Sequence, residues 1–125
     1  MPSNDAADWL VSHYLPYDPN YGEVYRIIPH ISWKKEDQIR LAKHYLRKIP
    51  FASALPYEAF ASVMPIKKLL NVIYEYLPTD RNDLELLLYY LIPTLEKFSK
   101  TESDYDVMNS FIKGVPTLYS ERPQI

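Results

Sequence analysis

Prolines that follow an aliphatic side chain constrain the fold of this chain more than any other feature. The 125 residues include eleven prolines but only two glycines. A residue before proline is pushed out of the α region, and proline itself is tolerated only in the first turn of a helix. Each such dipeptide therefore predicts a helix boundary whose last apolar side chain still contacts the core. The dipeptides are Leu15-Pro16, Ile28-Pro29, Ile49-Pro50, Leu55-Pro56, Met64-Pro65, Leu77-Pro78, Ile92-Pro93 and Val115-Pro116.

The segments between these boundaries carry apolar residues at helical spacing. Helices are predicted at residues 5–14, 23–28, 33–48, 56–63, 66–77 and 84–98, and a last one begins at Ser103. Few glycines argue against tight β-turns, which need positive φ. The sequence therefore predicts one all-α domain over residues 1–125, built as an irregular bundle of about five to seven short helices or as stacked helical hairpins.

Local signals refine the ends of these helices. Ser3 or Asn4, Ser32 and Asp80 are predicted N-caps. The most apolar segment, 84–98, is expected at the centre of the fold, with Pro93 kinking or splitting it.

The last helix carries further local signals. Ser103 and Asp106 form a predicted capping box, Gly114 is expected to end the helix, and residues 117–125 are expected to be irregular.

Composition and motif spacing narrow the class of protein. The chain has no cysteine and a net charge of −2, and no apolar run approaches the roughly 20 residues of a membrane span. We therefore expect a cytoplasmic protein without a membrane partner. Its three histidines show no metal-ligand spacing, and glycine-rich phosphate loops are absent. No enzyme activity, cofactor, metal or small-molecule substrate is expected.

A basic row lies along the predicted helix 33–48. Arg40, Lys43 and Arg47 fall on one helical face, with His44 beside them. Such a row can follow the phosphates of a nucleic acid, which would make the chain a nucleic-acid-binding or regulatory domain. The favoured interpretation is a solvated helix face, with acids near its start and bases near its end as the helix dipole prefers. Nucleic acid is therefore the alternative partner rather than the expected one.

Acidic and tyrosine side chains gather around the predicted turn at Asp80. Tyrosine combines a large rigid surface with a hydroxyl, and carboxylates attract basic partners, so this combination predicts a protein-binding surface. In each of the pairs Tyr74/Tyr76 and Tyr89/Tyr90, at least one ring should point away from the core. The predicted partner-binding residues are Glu75, Tyr76, Asp80, Asp83, Glu85, Tyr89 and Tyr90. A second candidate surface is the loop bearing Tyr17, Asp18 and Tyr21, since exposed loops often carry function.

The segment Tyr89-Tyr90-Leu91-Ile92-Pro93, with acids upstream, resembles the helical immunity proteins of nuclease colicins. Those proteins cover a basic nuclease with neighbouring acids and a tyrosine pair. In them the pair directly precedes proline, whereas two residues intervene here. In size and character the chain is also similar to immunity proteins of contact-dependent growth inhibition systems.

This resemblance implies a non-catalytic, protein-binding inhibitor. The implied partner is a bacterial toxin domain, a nuclease in the colicin case, whose active site would be occluded. A different class of function stays open beside it, namely a helical adaptor or a phage-encoded protein that blocks host defences.

Overall fold

The computed structural model describes residues 2–15 and 21–120, and the side chains of residues 2–15 and 22–115. Most of the described residues are helical and none of them lies in a strand, which confirms the all-α prediction. The helices are α1 (Ser3–His13), α2 (Val24–Ile27), α3 (Lys35–Leu46), α4 (Leu55–Val63), α5 (Ile66–Glu75), α6 (Arg81–Phe98) and α7 (Glu102–Ser120). Short 3₁₀ turns at Tyr21–Glu23 and Ile28–His30 flank α2.

The helices pack in two rows that alternate along the chain. In the first row α1 packs on α3, α3 on α5 and α5 on α7, and in the second α2 packs on α4 and α4 on α6. Contacts of α3 with α4, α4 with α5 and α6 with α7 join the rows. An alternation of this kind is what stacked helical hairpins produce, because successive hairpins place every second helix side by side in one row.

Polar contacts fix the register of α1 against α3. The Ser3 hydroxyl donates to Oδ2 of the buried Asp37 at 2.6 Å, and the Tyr45 hydroxyl donates to the Leu10 carbonyl at 3.2 Å. The partners advance together along both helices, so α1 and α3 run parallel. The prediction that Ser3 caps α1 is wrong, because its hydroxyl bonds to α3 instead and Pro2 occupies the cap position without a side-chain bond.

The centre of the fold is α4 rather than α6. α4 contacts α2, α3, α5, α6 and the Ile28–His30 turn, and its Tyr57 and Phe60 are fully buried. α6 lies at the end of the second row and buries a single stripe. The stripe consists of Leu84, Leu87, Leu91, Thr94 and Leu95. The expected central position of α6 is therefore wrong, since high apolar content on one face does not require that a helix be surrounded.

Most aliphatic–proline dipeptides lie where the prediction places them, at helix boundaries. Pro56 occupies the first turn of α4, and Pro65 is the N-cap residue of α5. Pro93 is an exception, because α6 continues through it as one helix and is not split. Its ring is exposed, so the Tyr89 carbonyl that it leaves without an amide donor can be hydrated.

The start of α7 is displaced from the prediction by two residues. Thr101 accepts a hydrogen bond from the Asp104 amide at 3.1 Å, while Asp104 Oδ2 accepts from the amides of Lys100 and Thr101. These bonds, first of all the one from Lys100, lower the pKa of the Asp104 carboxyl. The capping box is therefore Thr101 with Asp104, not Ser103 with Asp106, although its predicted chemistry is the one observed.

The end of α7 also differs from the prediction. The helix continues through Gly114 and Pro116 to Ser120, so the expected end at Gly114 is wrong. Residues 117–120 are helical rather than irregular, and 121–125 lie outside the described residues.

The start of α3 shows why Ser32 is not its cap. The helix begins at Lys35, with Lys34 in the cap position and no side-chain cap bond. The preceding Trp33 is buried and donates its indole N–H to the Ile28 carbonyl at 2.9 Å. Burial of this large ring fixes the entry into α3 where a polar cap was expected.

Candidate functional site

The predicted acidic turn connects α5 to α6. Asp80 is the N-cap of α6, and its Oδ2 accepts a hydrogen bond from the Asp83 amide at 3.1 Å, as the sequence predicts. One orphan amide of the helix start is satisfied in this way. The cap fixes the direction in which α6 leaves the turn, and it thereby places Asp83 and Glu85 on the exposed first turns.

The four predicted acids have different partners. Glu75 forms an ion pair with Lys43 of α3 at 3.8 Å, and Glu85 pairs with Arg81 at 3.3 Å. The Asp83 carboxylate has no hydrogen-bond or ion-pair partner within the described part of the chain. Among these acids, Asp83 is therefore the one whose charge is fully available to a partner.

The tyrosines divide into exposed and half-buried rings, as the pairing predicts. Tyr89 is 71% exposed and Tyr74 is 52% exposed, whereas Tyr76 and Tyr90 pack against the core. The rings of Tyr89 and Tyr90 meet edge to face, with centroids 4.9 Å apart. Of the predicted anchors, Tyr89 is the ring that a partner can cover.

Tyr89 lies within a wider exposed surface, which we call the α6 outer face. It consists of the exposed residues Asn82, Glu85, Leu86, Tyr89, Pro93 and Glu96. These positions recur at helical spacing opposite the buried leucine stripe. The predicted set lacks Asn82, Leu86, Pro93 and Glu96, although the same periodicity that predicts the buried stripe also places them on the opposite face.

The second predicted surface lies largely outside the described residues. Tyr17 and Asp18 fall in the segment 16–20, which the structure does not describe. Tyr21 begins the 3₁₀ turn Tyr21–Glu23. The prediction for this loop therefore stays a prediction.

The basic row on α3 lies between acids of its two neighbours. Arg40 pairs with Asp8 of α1 at 2.6 Å, and Lys43 pairs with Glu75 of α5. Arg47 extends its guanidinium to within 3.4 Å of Nδ1 of His44. Flanking carboxylates weaken the positive potential that a nucleic-acid backbone would require.

His44 is the titratable group most affected by this row. Burial lowers the pKa of His44, and the charges of Arg47, Arg40 and Lys48 lower it further. Its Nε2 is buried without a hydrogen-bond partner within the described part. The imidazole is therefore held in its neutral form more firmly than a free histidine would be.

The described surface also contains open concavities. One lies between α5 and α7 and holds about 380 Å³. Another, of about 420 Å³, lies beside Trp9 and His30. No group of three or more His, Asp or Glu side chains in residues 2–15 and 22–115 is arranged to hold a metal ion.

Comparison with protein-family models, with curated protein sequences and with solved structures finds no match for this chain. Within the described ranges, every helix is too short or too polar to cross a lipid bilayer.

Proposed function

We propose that this chain is a non-catalytic, protein-binding inhibitor, an immunity protein that neutralises a bacterial toxin domain of the nuclease class. The observation that carries the proposal is Tyr89, 71% exposed on the α6 outer face with carboxylates on either side of it. Tyrosine is over-represented among the residues that anchor protein interfaces, and carboxylates beside it favour a basic partner.

The arrangement of the α6 outer face supports this assignment. Leu86 and Pro93 lie one turn before and one turn after Tyr89, so apolar surface occupies the middle of the face. Glu85 and Glu96 are exposed at its margins, and Asp83 extends the charge toward the turn. An apolar centre within a charged rim is the usual anatomy of a protein interface.

The sign of the charge indicates the partner's chemistry. Carboxylates on this face complement a surface rich in lysine and arginine, such as the cleft with which a nuclease holds phosphates. By occupying that cleft, the carboxylates would take the positions of substrate phosphates while Tyr89 supplies contact area. Inhibition would then be steric and would require no chemistry from the chain itself.

The test takes the gene immediately upstream of the one that encodes this chain. Its C-terminal domain is expressed in a bacterial host with and without the chain, and growth and DNA or RNA integrity are measured. We expect growth arrest with nucleic-acid cleavage, and full rescue by co-expression through a complex of one copy of each protein. The proposal would be contradicted if the upstream C-terminal domain is harmless. It would also be contradicted if that domain is toxic but the chain neither binds nor neutralises it.

A further inference from the structure

We propose that the groove between α5 and α7 binds an extended peptide segment that carries an apolar side chain between an acidic and a basic residue. This groove lies in the first helix row and shares no residue with the α6 outer face. The inference therefore stands or falls independently of the proposed immunity function.

The groove has the dimensions of a short extended peptide. Lys67, Asn71 and Tyr74 line it from one face of α5, and Asp106, Ser110 and Phe111 line it from α7. Lys67 to Tyr74 spans two helix turns, roughly 10 Å, which equals about three residues of extended chain. The volume of about 380 Å³ can hold a few side chains.

The floor of the groove is apolar. Leu70 is 3% exposed, and Val107 and Phe111 are half-buried beneath the opening. The ring of Tyr74, 52% exposed, forms one lip. An aliphatic side chain of the ligand would gain burial against this floor and this ring.

Two unbonded polar groups line the same groove. Asn71 and Ser110 are exposed, and their side chains bond to no other described residue. A carboxamide offers one donor group and one acceptor, the same pair that a peptide unit offers in return. Asn71 can therefore bond to the N–H and the C=O of a ligand backbone, and the Ser110 hydroxyl can take either role.

The charges at the groove distinguish between ligand classes. Lys67 and Asp106 approach from opposite helices, and neither forms an ion pair with a described residue. Asp106 disfavours a phosphate or another polyanion, and Lys67 disfavours a simple cation. A peptide that places one acidic and one basic residue beside an apolar residue complements both charges.

The experiment uses the ¹⁵N-labelled full chain and two blocked peptides, acetyl-Ala-Glu-Leu-Lys-Ala-amide and its charge-reversed form acetyl-Ala-Lys-Leu-Glu-Ala-amide. Because the chain direction of the bound segment is open, both orders are titrated. We expect one of them to shift the amide signals of groove residues saturably, with a dissociation constant on the order of 1 mM. Asn71→Ala removes both of its hydrogen bonds to the ligand backbone and should weaken binding about fivefold or more, since one lost bond alone accounts for about fivefold.

The matched control is Asn109→Ala, an exposed asparagine of α7 that does not line the groove. It should leave the affinity unchanged, and melting curves should show both variants folded. The proposal is overturned if neither peptide gives saturable shifts at the groove, or if Asn71→Ala binds like the parent. It is equally overturned if the peptide with alanine in place of leucine binds as well, or if inorganic phosphate gives the same shifts.

Discussion

The ring of Tyr89 stands edge-on to the ring of Tyr90, at right angles and with centroids 4.9 Å apart. One ring is 71% exposed and its neighbour packs against the core. Adjacent residues on a helix point in directions about 100° apart, so a tyrosine pair at the edge of a buried stripe must divide its roles. Tyr90 supports the position of Tyr89, and Tyr89 is available to a partner.

This division predicts opposite phenotypes for two similar substitutions. Tyr89→Ala should change the free energy of unfolding by less than about 0.5 kcal/mol, and it should raise the dissociation rate of the toxin complex roughly 30-fold, equivalent to about 2 kcal/mol. Tyr90→Ala should instead destabilise the fold by roughly 1–3 kcal/mol. Denaturant unfolding and surface-plasmon kinetics measure the two effects. If Tyr89→Ala is folded and its toxin complex dissociates at the wild-type rate, Tyr89 lies outside the interface.

Charge at the turn should act on association rather than dissociation. Asp83→Asn should slow complex formation and flatten its dependence on ionic strength, because the Asp83 carboxylate, which pairs with no cation among the described residues, steers the encounter. Asp5→Asn is a matched control, since Asp5 is also an exposed acid at the third position of its helix. Stopped-flow association rates at several salt concentrations distinguish the variants. Equal rates for both would show that Asp83 lies outside the encounter surface.

The buried hydrogen bond between Ser3 and Asp37 should contribute measurably to stability. Ser3→Ala removes a donor to a carboxylate that is 4% exposed and also leaves the Lys34 amide without its acceptor at 3.0 Å. We expect a loss of about 1–3 kcal/mol, because a buried polar group is left unsatisfied. Ser12→Ala, on the exposed part of the same helix, should cost less than about 0.5 kcal/mol. Urea unfolding of both variants makes the comparison, and equal losses would refute it.

The basic row on α3 should be dispensable for stability. The Arg40 and Lys43 ion pairs are exposed, and such pairs contribute about 0–1 kcal/mol each, so the double alanine variant should remain folded with little loss. Binding of a DNA duplex should be weak in both the parent and the variant. The double variant Lys34→Ala with Lys35→Ala is the control for general loss of positive charge. The row would be established as a nucleic-acid site if the parent binds DNA tightly with a strong salt dependence, and if binding disappears in the Arg40/Lys43 variant but persists in this control.

Stability should fall on acidification because of His44. Its pKa is lower in the folded chain, chiefly through burial, so the unfolded chain takes up more protons near and below the ordinary value of 6.5. The stability that comes from burying neutral His44 is fully present above the ordinary pKa of 6.5 and is lost as the pH falls toward the pKa of the folded state. His44→Gln should therefore flatten the decline in unfolding free energy between about pH 7.5 and about pH 5.5. Urea unfolding at several pH values measures this slope, and an unchanged slope would contradict the assignment.

The candidate site could be predicted from the sequence in part. Asp80 followed by an acid three residues later is a local signal, and the structure shows the predicted cap. The sequence predicts Tyr89 but not Leu86 or Pro93 as part of the site, because charge and aromaticity distinguish Tyr89 and its acidic neighbours, whereas Leu86 and Pro93 are marked only by their place on the outer face of the helix. The groove between α5 and α7 has no sequence signal, since it exists only where two helices separated by α6 come together.

The sequence by itself determined the helical segments, their buried faces and most of their boundaries to within a few residues, because helix periodicity and proline geometry are properties of neighbouring residues. Only the tertiary structure decided that α4 rather than α6 is surrounded, and that Arg40 and Lys43 lie beside Asp8 and Glu75. It also decided that Ser3 bonds to Asp37 instead of capping its own helix. These outcomes depend on residues more than 30 positions apart, whose approach is set by the packing of whole helices and not by any local preference.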